Sequence, residues 1–293
     1  MSERNRFESP RRRLEMLRSR MNDASDEVST GLRVRRPSDD PLAAKRLHDL
    51  DLRISRLDGH MRSAERVDNR LRETDGVLEE VISLLDEVKS LGLRGANDTN
   101  NAEDRALIAE EISSLITQVA DLANTRDADG FLFTGALGDV APVDDALNVK
   151  NDDRALSVEV GEGVRVQEGV LAATIFGDGT PATIQVFDTL VALRDAVANG
   201  DQGGLDTALA DMDTATEQVI DARGTAGIIL GRLEGAMTVN DRLQASLPLE
   251  RASLVEADFV EAVNELSRAE SMFQASLAAS GRTVGGSTLL DYL

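Results

Sequence analysis

Apolar residues recur along this chain at alternating steps of three and four, with one interruption near the middle. Leu14, Leu17, Met21, Ala24, Val28 and Leu32 form the first stripe, an a/d pattern over nearly three heptads. Arg36-Pro37-Ser38-Asp39-Asp40-Pro41 then breaks the helix, with Asp40 reading as an N-cap and Pro41 as the first residue of a new one. That helix is predicted from Leu42 to about Gly95, through Leu47, Leu50, Ile54, Leu57, Met61, Ala64, Leu71, Leu78, Ile82 and Leu85. Asp68 and Asp75 interrupt its stripe. After a polar loop at 97–101, Asn100 and Glu103 resemble a capping box. The helix they open carries Ile108, Ile112, Leu115, Val119 and Leu122 on one face.

The period changes after Asn124. Leu156-Ser157-Val158-Glu159-Val160 and Val164-Arg165-Val166 alternate in the manner of strands, with glycines between, and predict a small β-containing insert over 136–183. Helical spacing returns in Phe187, Leu190, Leu193 and Val197, ending at Gly200. It resumes from Leu205 to about Leu247, where Pro248 is expected to stop it. Phe259, Val263, Leu266, Glu270, Phe273, Leu277 and Val284 restore the 3.5-residue repeat at the far end. The fold class expected is therefore mainly α. Both chain halves would build an elongated antiparallel coiled-coil or helical rod, bearing a small β-containing insert domain.

A seam at each end of the chain, cut off by a break, cannot bury itself, because isolated short helices are marginal in water. Each needs the other, or copies of itself on neighbouring chains. The candidate assembly interface is accordingly Leu14, Leu17, Met21, Val28 and Leu32 from the first segment and Phe259, Val263, Leu266, Phe273 and Leu277 from the last.

Composition agrees with narrow helical seams: only 3% of residues are aromatic, so Leu, Val, Ile and Ala must supply the apolar surface. The net charge of −21 argues against a general nucleic-acid role, which needs a concentrated basic face. Residues 1–36 run the other way, with ten Arg against six acids. That Arg-rich head is either a surface for an anionic partner or a solvated helix face. No cysteine is present, which removes disulfides, thiol catalysis and thiolate metal sites. The first twenty residues hold no apolar core of the kind a cleaved signal peptide needs, and no run is long enough to cross a membrane.

Catalytic constellations are hard to find. His48 and His60, the two histidines, are twelve residues apart and form no zinc motif. Gly224-Thr225-Ala226-Gly227 through Gly231 lacks the Lys-Ser/Thr of a phosphate loop and reads instead as small residues for close helix packing. Asp127-Ala128-Asp129-Gly130 lacks the closing acid of a calcium loop and reads as a turn. Neither a catalytic residue nor a cofactor or metal is expected.

Five short stretches carry a resemblance. Arg36-Pro37-Ser38-Asp39-Asp40-Pro41-Leu42 resembles the Ser-Asp-Asp-Pro signature near the start of bacterial flagellins and their relatives, and Asp104-Arg105 to Ile116 resembles the family's second helix. Asp129-Gly130-Phe131-Leu132-Phe133-Thr134-Gly135, the pair Ile175-Phe176-Gly177 with Val186-Phe187-Asp188-Thr189-Leu190, and the tail Leu289-Leu290-Asp291-Tyr292-Leu293 are similar to the hook-associated members of that family. The resemblance adds Leu290, Tyr292 and Leu293 to the candidate interface. It implies terminal coiled-coil helices at 1–40 and 252–293, a helical rod at 41–135 and 184–251, and 136–183 as an exposed outer insert.

The resemblance also implies a non-catalytic junction subunit linking the hook end to the flagellin filament. Export would run through the flagellar secretion channel, without a cleaved signal peptide, to an extracellular position in the flagellum. Its partners would be copies of itself in a ring, flagellin, the neighbouring hook-associated protein and a flagellar export chaperone, with no nucleic acid and no membrane. Flagellin itself is the nearest alternative. A cytosolic coiled-coil scaffold and an enzyme acting through the insert are the more distant ones.

Overall fold

The computed structural model describes residues 3–97, 100–136, 138–150, 154–180 and 183–285, with side chains from Arg11 to Ala279. Seven helices and four strands lie among them: α1 Glu3–Thr30, α2 Pro41–Gly95, α3 Ala102–Ala123, β1 Arg126–Asp127, β2 Gly130–Phe131, β3 Ser157–Gly161, β4 Val164–Gln167, α4 Ala172–Phe176, α5 Val186–Asn199, α6 Gln202–Val255 and α7 Phe259–Gly285. The protein is mainly α, as its periodicity indicates. Its described strands make two antiparallel hairpins, β1–β2 and β3–β4.

The chain divides into two compact units, one of residues 1–55 and 244–293 and the other of residues 56–243. This division cuts α2 and α6 internally, whereas the terminal segments implied by the resemblance are 1–40 and 252–293.

The larger unit has one continuous apolar core. Leu71, Leu78 and Leu85 of α2 meet Met212, Val219 and Leu233 of α6, with Ile112 and Val119 from α3 and Leu190 and Leu193 from α5. The charges that interrupt the α2 stripe are matched locally. Asp75 accepts hydrogen bonds from Arg223 of α6 at 2.7 and 3.1 Å, and that guanidinium holds its carboxyl below the usual carboxylate range. Asp68 accepts from Arg72 one turn on, at 2.8 Å.

Thr74 breaks the pattern differently. It is fully buried between Leu71 and Leu78, and its hydroxyl has no hydrogen-bond partner. A threonine in mid-helix usually bonds the carbonyl four residues back. An unmet buried hydroxyl costs on the order of 1–3 kcal/mol, so Thr74→Val should raise stability by about 1 kcal/mol. Denaturant titration followed by circular dichroism would read this as a higher midpoint. An unchanged or lower one would mean the hydroxyl is satisfied.

The insert is held to the helices by both its segments. Val160 and Val166 of the β3–β4 hairpin are buried, and buried Asn240 of α6 donates to the Val160 carbonyl at 2.8 Å. Phe133, Phe176 and Phe187, from three separate segments, pack ring to ring beneath it. Gln218 of α6 clasps the chain beside them, donating to the Ile175 and Ile184 carbonyls and accepting from the Ile184 N–H. The Phe-Leu-Phe-Thr-Gly stretch is thus built for packing. Leu132 and Phe133 are buried, and a Cβ on Gly135 would stand 2.1 Å from the Arg154 carbonyl oxygen. Only glycine permits that approach.

Three local expectations need correction. The α3 cap is Asn101 with Asp104, one residue beyond the expected pair; its side chain accepts from the N–H groups of Glu103 and Asp104. Pro248 does not stop α6, which runs on to Val255. Proline removes its own N–H from the ladder, and both Pro248 and Gln244, whose carbonyl loses the bond, are exposed to solvent. Finally, Gly224, Gly227 and Gly231 do not mediate close packing, and neither does Gly235 beyond them. All four are exposed, nothing lies within 4 Å of where a Cβ would stand, and Ala222, Ala226, Ile229, Leu233 and Ala236 form the packed face instead. Gly227→Ala and Gly231→Ala should each stabilise α6 by roughly 0.5–1 kcal/mol, raising the thermal midpoint. A fall would show that these glycines serve something other than the helix.

Candidate assembly interface

The smaller unit is organised around a crossing of two connectors. Gly31, in the left-handed conformation at φ +69°, ends α1. The residues beyond it pair antiparallel with the end of α6. Leu32 bridges Glu256, the Arg33 N–H donates to the Val255 carbonyl at 2.7 Å, and the Ala257 N–H donates back to Gly31 at 2.9 Å. Arg33 adds a bond from its guanidinium to the Leu254 carbonyl at 3.0 Å. Val34, Ala43, Leu50, Leu247 and Val255 are buried in this unit.

The Ser-Asp-Asp-Pro stretch finds its physical meaning here. Asp39 folds back to accept from the N–H groups of Arg35 and Arg36, at 3.2 and 2.8 Å, closing the turn. Asp40 accepts from Leu42 and Ala43, at 3.2 and 2.9 Å, and caps α2. These N–H donors, with Arg33 beside Asp40 and Arg35 beside Asp39, hold both carboxyls below their ordinary range. Asp258 caps α7, accepting from the N–H groups of Val260 and Glu261. The Asp-x-x-Glu spacing from Asp258 to Glu261 is the sequence signal for this start.

From this crossing α1 and α7 run antiparallel and pack on each other. On α1 the stripe Leu14, Leu17, Met21 and Val28 is half-buried, with Ala24 fully buried among them and Leu32 half-buried just beyond. On α7 the inward face is Ala262, Leu266, Ala269, Phe273 and Ser276, a four-three-four-three spacing. Leu266 and Phe273 of the candidate set thus sit on this seam. Phe259, Val263 and Leu277 do not: they are 64%, 40% and 48% exposed. Reading only large apolar residues had merged two neighbouring stripes of α7, because two of the inward positions are alanine. Leu290, Tyr292 and Leu293 lie outside the described residues.

The unit therefore has an apolar seam, used within the chain, and a second apolar flank that this chain leaves exposed, with Val260 and Met272 of α7 and Met16 of α1 also exposed. Among the described residues no group of His, Cys, Asp and Glu could hold a metal ion, and no helix is long and apolar enough to cross a membrane.

Comparison with known proteins places these features in a family context. Residues 7–136 match the bacterial flagellin N-terminal helical region. Flagellar hook-associated protein 3 of Escherichia coli K12 is 24% identical over 277 residues, covering 87% of each chain. A flagellin of Halalkalibacterium halodurans is 23% identical over 256 residues, covering 87% of this chain and 85% of its own. Among solved structures, flagellar hook-associated protein 3 of Legionella pneumophila superposes with a TM-score of 0.63 over 71% of this chain and 98% of its own, at 14% identity. That last likeness bears on the fold alone.

Proposed function

From a chain whose residues 7–136 match the flagellin N-terminal helical region, we propose a non-catalytic structural subunit of the bacterial flagellum that joins the hook end to the flagellin filament. The observation that carries this reading is the likeness to hook-associated protein 3 along 87% of both chains. Two matches of motif to packing support it. The Phe-Leu-Phe-Thr-Gly stretch and the Ile-Phe-Gly stretch, both like those of hook-associated proteins, supply Phe133 and Phe176 to the cluster that seats the insert.

The mechanism is burial between copies. Phe259, Val263 and Leu277 are apolar surface that the single chain leaves in water. Removing such surface stabilises an assembly by roughly 25 cal/mol per Å². Copies of the chain form a ring, flagellin and the neighbouring hook-associated protein bind its two ends, and an export chaperone covers the C-terminal segment before secretion through the flagellar channel. A filament subunit is the second reading, favoured by the flagellin of similar extent.

Immunogold labelling of whole cells with antibody to residues 136–183 tests this choice. A single spot between hook and filament is the expected result. Label along the filament would assign the chain to flagellin instead, and absence of label from flagella would remove both readings.

A further inference from the structure

The two helices of the terminal hairpin share a flank that is sharply sorted by charge. The bridge between Leu32 and Glu256 sets their levels, so Arg20 of α1 lies level with Arg268 of α7, and Met16 with Met272. Each of these four residues immediately precedes a seam residue, Leu17 or Met21 on α1 and Ala269 or Phe273 on α7. A residue one step before the seam stands about 100° from it, always on the same hand of the helix. Antiparallel pairing turns that hand of both helices to one side of the hairpin. Arg13, just before Leu14, joins them. Arg13, Arg20 and Arg268 are exposed, and so are Met16 at 61% and Met272 at 54%. Arg11, Arg18, Val263 and Leu277 take the opposite flank, with Glu15, which lies 3.5 Å from Arg11.

Arg20 and Arg268 carry like charges at one level, and these repel unless an anion stands between them. The nearest acid in α1, Asp23, is turned instead to Arg35 at 4.0 Å and Ser19 at 3.5 Å. One turn further out, Met16 and Met272 form an apolar pair in water, and methionine is the side chain that adapts best to an irregular apolar surface. Toward the crossing the flank changes sign. Its next positions are Asp23 and Glu27 on α1 and Glu265 and Glu261 on α7. Glu27 is about 10 Å from Arg20 along the helix, beyond the Debye length of about 8 Å. An acidic helix laid along the hairpin would meet those carboxylates, whereas a surface touched only at the outer level would not.

We propose that this flank of the free chain binds an anionic phospholipid surface. Arg20 and Arg268 take one lipid phosphate between them and Arg13 a second, as guanidinium groups do with phosphate oxygens. Met16 and Met272 enter the boundary between headgroups and acyl chains, so the contact stays at the membrane surface and spans nothing. A free phosphate would use the arginines and leave the methionines in water, which is why the pairing of the two favours a lipid. The chain as a whole carries a net charge of −21, and repulsion of its acidic remainder confines the contact to this level of the hairpin. The resemblance implies no membrane partner, so the contact goes beyond the proposed junction role and does not depend on it.

Co-sedimentation of the full-length chain with vesicles tests this. Each arginine near an anionic surface is worth about fivefold in partitioning, so vesicles of phosphatidylglycerol and phosphatidylcholine in equal parts should bind the chain at least about fiftyfold better than pure phosphatidylcholine. Arg20→Gln with Arg268→Gln should lower binding to the anionic vesicles by about twenty-five-fold. Met16→Ser with Met272→Ser should lower it by about tenfold. Arg11→Gln with Arg18→Gln removes the same charge from the opposite flank and should change binding by no more than about threefold. Circular dichroism of the three variants checks that the helices persist. Equal binding to both kinds of vesicle overturns the proposal, as does a loss from the Arg11 and Arg18 pair as large as that from Arg20 and Arg268. Loss from the Arg20 and Arg268 pair with none from the methionine pair would make the ligand a bare phosphate group and overturn the lipid contact. No vesicle binding, with salt-sensitive binding to poly-glutamate in fluorescence anisotropy, would assign the flank to an acidic protein instead. Flagella take no part in the experiment, so its failure leaves the junction role standing.

Discussion

Replacing Phe176 by alanine is expected to cost the larger unit about 3–5 kcal/mol, the range for removing a fully buried ring. Phe176 comes from the five-residue helix α4 and is completely enclosed. Its ring meets Phe133 edge-on at 6.1 Å and Phe187 at 5.4 Å with a 36° tilt. Edge-to-face pairs contribute roughly 0.5–1.5 kcal/mol beyond the area they bury. The consequence should be local at first. Among its described residues the insert has one short hairpin, β3–β4, and this cluster, with Gln218 and Asn240, ties it to the helices. Limited proteolysis of the variant should cut between residues 138 and 180 well before the helices are lost. A loss below about 1 kcal/mol, with unchanged proteolysis, would show that the site collapses around the missing ring.

The helices were legible because their signal is periodic and long. The stripe from Leu47 to Leu85 needed no structure to be recognised, and neither did the αL stop at Gly200. Legibility failed where the signal was a single residue or a small one. Ala262 and Ala269 form the inward face of α7, but a search for large apolar residues passes over alanine and finds Val263 instead. Pro248 was given the weight it has in a buried helix, although an exposed helix tolerates it. Gly224, Gly227 and Gly231 of α6 carried no packing information because they face away from the core. The insert was found from its glycines and alternation, yet nothing local in the sequence announced that its stability rests on three phenylalanines spread over fifty-five residues. Long-range contacts of that kind leave no periodic trace.

The same distinction decides which change should block assembly without unfolding the chain. Leu266→Asp would put a charge against α1, because Leu266 is half-buried on the hairpin's own seam. Its failure to assemble would therefore report lost folding as much as lost contact. Val263→Asp with Leu277→Asp avoids this, since both residues lie off the seam and are 40% and 48% exposed in the single chain. Their substitution should leave helical content and thermal midpoint of the monomer unchanged to within about 0.5 kcal/mol, as for most exposed positions. Between copies the new carboxylates would lose hydration without gaining a partner, a cost of several kcal/mol per ion. Incorporation into flagella should then drop by a hundredfold or more, each 1.4 kcal/mol being about a factor of ten. The paired measurement is a melting curve on the purified monomer and quantitative blotting of sheared flagella. Normal incorporation with a normal melt would mean that the exposed flank faces solvent in the assembly, and the contact would then have to be sought on the opposite side of the hairpin, around Met16 and Met272.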